Sequence, residues 1–179
     1  MDLQKNFERL LADLVSTRLG SLGFERKGLT LHRRRSGYVE SFNFQGSQYN
    51  VRDTRCEFFL NVGVAFPDLP RSGIAFLKSG NGMVDRYRNH TVSLVDHSPD
   101  VAWATRADSL VGELPDRWIV EPTTDSDALA DAIATAVLSA SQALEPFAAR
   151  MRLRAAPVRF VSALLRPLAG VAARLRGRG

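Results

Sequence analysis

At 179 residues and 45% hydrophobic content, the chain has enough apolar material for one sizeable core, and that composition argues against a disordered main body. Its net charge of +5 is unevenly placed: all 19 acidic residues precede residue 151, while Arg152, Arg154, Arg159, Arg166, Arg174, Arg176 and Arg178 follow it. A near-neutral body (residues 1–151) thus carries a basic tail (residues 152–179), and the overall charge is poor evidence that the body binds nucleic acid.

The chain begins MDLQKNFERL, where Asp2 and Glu8 and the lack of an apolar run argue against a signal peptide. Residues 3–22 have the period of an amphipathic helix, with Phe7, Leu10, Leu11, Leu14, Leu19 and Leu22 on one broad face and Asp2 as its cap. Gly20 and Gly23 mark its end. Residues 28–36 suit a first strand. After Gly37, Tyr38 starts a second, with Tyr38, Phe42 and Phe44 on one side and Val39, Ser41, Asn43 and Gln45 on the other. Glu40 falls among the aromatics, which points to a place near a sheet edge.

A polar loop (46–54) leads to the strongest strand pattern in the chain. Phe58, Leu60, Val62, Val64 and Phe66 alternate with Phe59, Asn61, Gly63 and Ala65, until Pro67 and Pro70 end the run. Residues 71–97 resist assignment, though 91–95 resemble a short strand. Ser98-Pro99 suits a helix start, followed by Trp103, Ala107, Leu110 and Leu114 at helical spacing, and Trp118-Ile119-Val120 reads as a last strand. Thr124 and Asp127 resemble a shortened capping box for a helix over 125–145, which Pro146 should kink or break. The fold class expected is α+β: an antiparallel sheet of four to five strands packed against N-terminal and C-terminal helices.

The order LGFERKG (22–28), Arg33, VESFNFQGSQYN (39–50), FFLNVGVAF (58–66) and Asp116-Arg117-Trp118 before a C-terminal helix resembles the bacterial domain-of-unknown-function family 4304. The resemblance covers about residues 5–150; the tail lies outside it. It implies an α+β domain with no established enzymatic activity and, in some bacterial settings, an accessory or immunity-type role. The family-like positions are Gly23, Phe24, Lys27, Gly28, Asn43, Phe44, Gln45, Ser47, Asn61, Gly63, Val64, Arg117 and Trp118. Ser41 departs from the pattern, standing where a hydrophobic residue is frequent.

The candidate binding residues start with Asn43, Gln45 and Ser47, which alternate on one strand face, with Asn61 on the next strand. Paired carboxamides either pin strand register as a buried network or present donors and acceptors to a ligand. Neither amide is a competent general base, so the set favours binding over catalysis. Gly63 permits a bulge or a close approach by a helix, or leaves room for a bound molecule. Lys27 and Arg33, with Arg26, Arg34 and Arg35, form either a charged solvated sheet edge or a receptor for phosphate or an acidic partner. Arg117 faces outward or pairs with an acid beside a packed Trp118, and a site shared with Arg106 and the carboxamides is geometrically open to it.

His32, His90 and His97 lack metal-site spacing, and no nucleophile elbow appears, so no catalytic residue, metal or cofactor is assigned. Cys56, the single cysteine, is a small core residue unless His32 stands beside it; a lone cysteine fits a reducing cytoplasm. The tail is disordered or weakly helical, lies on an anionic membrane surface, or meets a partner or nucleic acid through charge alone. The expected function is a non-enzymatic protein-binding or accessory domain. The alternatives are an enzyme with a shallow polar site around Asn43, Gln45 and Asn61, and a membrane-surface or nucleic-acid adaptor acting through the tail.

Overall fold

The computed structural model describes residues 2–79 and 101–176. The expectations for 80–100, including the strand at 91–95 and the helix start at Ser98-Pro99, lie outside them.

Helix α1 spans Leu3–Leu14, and the Asp2 carboxylate accepts from the Lys5 N–H at 3.1 Å. The helix then widens into a π turn (Val15–Leu19) and tightens into a 3₁₀ turn (Gly20–Leu22) that ends on Gly23 at φ 84. That change of pitch rotates Leu22 out of the apolar face, so it is exposed rather than buried.

Among the described residues six antiparallel strands follow: β1 (Phe24–Lys27), β2 (Thr30–Arg35), β3 (Tyr38–Gly46), β4 (Cys56–Ala65), β5 (Val101–Arg106) and β6 (Trp118–Val120). They run in the order β1-β2-β3-β4-β5, while β6 pairs with the Cys56–Phe58 end of β4. Two strands correct the sequence expectation. β1 is too charged to alternate visibly, with only Phe24 buried. β5 occupies residues expected to be helical; only the short α3 (Ala107–Leu110) carries that period. A register shift between Val64 and Ala65 on β4 accompanies burial of Val101, Ala102 and Ala104, which removes the in–out signal from β5.

The described helices cover one face of the sheet. Phe7 of α1 stacks on Phe58 at 4.0 Å and meets Phe44 edge-on at 5.4 Å. Helix α2 (Arg71–Ser79) adds Ile74 and Leu77 to a second cluster with Phe66, Val64 and Tyr38. Helix α4 (Ser126–Arg176) spans both clusters, through Ile133, Val137 and Ala140, then Leu144, Ala148, Met151 and Ala155. Its cap is Asp125, which accepts from the N–H groups of Asp127 and Ala128; Thr124 instead accepts from the Glu121 N–H. Pro146 does not end the helix, because buried residues on either side hold the same stripe against the sheet.

Glu40 is not at an edge. It is 0% exposed on the helix-covered face of β3, paired in register with Arg33. Its carboxylate accepts from Arg33 at 2.9 Å, from Arg35 at 3.0 Å and from the Ser141 hydroxyl of α4 at 2.9 Å. Arg33 also donates to Ser141 and lies 4.3 Å from the Phe24 ring centroid. Arginine suits this place because its fork supplies several donors to one buried carboxylate.

Candidate functional site on the second face of the sheet

Side chains on β2, β3 and β4 alternate, so the residues between the core positions share the face opposite α1 and α4. Register fixes who meets whom. One row crosses the sheet as Thr30, Asn43, Asn61 and Arg106, and the next as His32, Ser41, Gly63 and Ala104. Beyond it stand Arg34, Val39, Ala65 and Val101.

Three of the four polar residues expected together do meet. The Asn43 amide donates to the Thr30 hydroxyl at 2.9 Å, and the Asn61 amide donates to the Gln45 carbonyl at 3.0 Å. Asn43 and Gln45 are half-buried, whereas Asn61 is fully enclosed. The Asn61 Oδ1 atom is buried without a hydrogen-bond partner. A buried acceptor in that state costs roughly 1–3 kcal/mol, so Asn61 is present at some expense to stability. Ser47 stands apart: past the end of β3, its hydroxyl accepts from the Tyr49 N–H at 3.2 Å and serves the turn.

Arg106 joins this row, unlike Arg117. Its guanidinium lies 4.4 Å from the Phe59 ring centroid, donates to the Asp116 carbonyl and pairs with Asp108 at 3.2 Å. Arg117 precedes β6 and is held by Asp116 at 2.9 Å and Glu57 at 3.5 Å. Its hydrogen bond holds the Asp116 carboxyl below the usual carboxylate range. Lys27 lies on the exposed edge strand, in register with Thr30. Arg33 points to the opposite face, into the Glu40 network, and is buried rather than solvated.

A groove of about 250 Å³ adjoins the carboxamides. Val39, Ala65, Pro67 and Val101 supply apolar walls, and Glu25, His32, Arg34 and Ser41 supply polar ones. His32 Nδ1 and Ser41 Oγ are 3.1 Å apart. Burial, then the nearby Lys27 and Arg34, push the imidazole below its ordinary value of 6.5 against the opposing pull of Glu25, so it is neutral at pH 7. The groove was not apparent among the scattered histidines. Its signal lay in the Ser36-Gly37 turn: placing Arg35 opposite Tyr38 necessarily places His32 opposite Ser41.

Ser41 is buried, and the backbone around it is committed to the ladders with β2 and β4. Cys56 is on the other face, with its Sγ 4.0 Å from the Val51 carbonyl, and His32 is not its neighbour. Gly63 accommodates a close approach by β5 rather than a helix: a Cβ there would meet the Trp103 carbonyl at 3.1 Å. Among the described residues, no group of three His, Cys, Asp or Glu is placed to hold a metal ion, and no helix is long and apolar enough to cross a membrane.

Comparison with curated proteins and with solved structures gives no match. A family model described as Domain of unknown function (DUF4304) matches residues 15–148, from the π turn through the middle of α4. That span contains all six strands and both rows of the polar face, and the chain belongs to the DUF4304 family.

Proposed function

We propose that this chain is a non-enzymatic binding domain, and that its groove beside His32 and Ser41 receives a side chain from a protein partner. The observation that carries this is the groove's size and lining. Its volume of about 250 Å³ is below the roughly 300–1,000 Å³ of typical small-molecule sites and suits one or two protein side chains. Four apolar residues face four polar ones, the mixture that seats an anchoring side chain and fixes its orientation. The neutral His32 offers hydrogen bonding, while Arg34 gives charge at the rim. The half-buried Asn43 and Gln45 extend the polar surface beyond the groove. Such a surface would serve the accessory or immunity-type role that the family resemblance implies.

Photocrosslinking tests this reading. A benzophenone amino acid at Val39 should capture a defined protein from the native host, and the same probe at exposed Leu22 should not. Arg34→Glu, at an exposed position, should abolish the Val39 adduct while leaving the circular dichroism spectrum unchanged. Identical adducts from both positions, or an adduct indifferent to Arg34→Glu, overturn the proposal.

A further inference from the structure

The C-terminal part of α4 has two apolar sides. Met151 and Ala155 are buried against the domain. Leu153 and Pro157 lie two residues beyond Met151 and Ala155, and Phe160 lies five beyond Ala155, which at about 100° per residue places all three on the opposite side of the helix. They are exposed there: Leu153 is 73% and Phe160 67% accessible. The spacing then recurs in the sequence. Leu153, Pro157 and Phe160 are followed eleven residues later by Leu164, Leu168 and Val171, and Leu153 is followed again by Leu175. An eleven-residue repeat is about 3.67 residues per turn, close to the natural helix pitch, so such a stripe stays on one side of a nearly straight helix. That geometry suits a flat surface.

Charge selects the surface. Residues 152–179 hold seven arginines and no acid. A second copy of this segment would bring seven more arginines and no acid of its own, which disfavours pairing of the two segments. Nucleic acid would answer the charge and leave the stripe unused. An anionic lipid surface answers both, since an interfacial helix buries apolar side chains below the headgroups and keeps cations among them. We propose that the C-terminal part of α4 is an interfacial helix that lays the stripe begun by Leu153, Pro157 and Phe160 on an anionic membrane. Arg152 is bonded to the Ser36 carbonyl and Arg159 is paired with Asp68 at 2.8 Å. The arginines after Val161 therefore supply the headgroup charge.

The test uses the full chain. A polarity-sensitive fluorophore on Phe160→Cys reports the stripe selectively, because Cys56 is buried. Its emission should shift to the blue with vesicles containing phosphatidylserine and stay unchanged with pure phosphatidylcholine. Leu153→Ser combined with Phe160→Ser changes only exposed positions and should weaken cosedimentation with the anionic vesicles by roughly tenfold to a hundredfold. Vesicle binding that survives the two serines overturns the proposal. So does binding to duplex DNA without binding to vesicles, or a dimer that the serines dissociate.

Discussion

Replacing Arg33 by methionine tests whether the Glu40 network holds α4 to the sheet. Methionine keeps much of the side chain's length and its contact with Phe24 while removing the charge. Glu40 is 0% exposed and keeps two donors, Arg35 and Ser141. Arg35 is 39% exposed, so solvent screens its pairing with Glu40 and it replaces only part of what is lost. Removing one partner of a buried ion pair costs about 3–5 kcal/mol, and the surviving donors put Arg33→Met near the lower end, at about 3 kcal/mol. Adding Glu40→Leu removes the stranded charge as well. Ser141 can then turn its hydroxyl to the carbonyl of Val137 one helical turn earlier, and the double variant should recover to within about 1–2 kcal/mol of the parent. Urea unfolding followed by Trp103 and Trp118 fluorescence measures all four members of the cycle. A single variant that loses less than about 1 kcal/mol, or a double variant no better than the single, would show that the network is not what couples the two layers.

Three further outcomes follow from local geometry. Gly20→Ala should lower stability by about 1–3 kcal/mol in the same urea assay, because a Cβ there would stand 2.7 Å from the Val15 carbonyl oxygen inside the π turn; an unchanged midpoint would refute this. His32 is held below 6.5 in the fold, so below that pH the unfolded chain gains a proton that the folded chain resists. Its contribution is therefore complete above about pH 6.5 and lost as pH falls through the folded value. Between about pH 7.5 and 5 the parent should lose more stability than His32→Asn, and a His32 NMR titration midpoint at or above 6.5 would contradict the assignment. Burial, and secondarily Asp2, push the Cys56 thiol up, so its reaction with a disulfide reagent should be at least about a hundredfold slower in the folded protein than in urea; comparable rates would place the thiol in solvent.

What could be read ahead of the structure followed from how cleanly one face was covered. β3 and β4 announced themselves because aromatic residues meet α1 and α4 on one side while Ser41, Asn43 and Asn61 occupy the other. β5 hid because alanines fill both of its faces near the Val64/Ala65 irregularity. Glu40 was misplaced for a different reason: a charge among core residues was referred to an edge, when its answering charges were seven and five residues earlier across a two-residue turn. The same turn would have paired His32 with Ser41. The meeting of Asn43 with Asn61 had no comparable local cause, since the 47–55 loop between their strands sets no register that composition reveals.

The junction between α4 and the turn at Ser36-Gly37 bears on how deletions would be interpreted. Arg152 reaches the Ser36 carbonyl, and Arg159 reaches the Gly37 carbonyl and Asp68. Cutting the chain where the family match stops, at residue 148, would remove these clasps together with Met151 and Ala155. A phenotype from such a cut would mix a loosened β2–β3 corner with the loss of the basic segment. Ending the chain after Val161 keeps the clasps and removes four of the seven arginines, so that truncation separates mechanical damage from lost recognition.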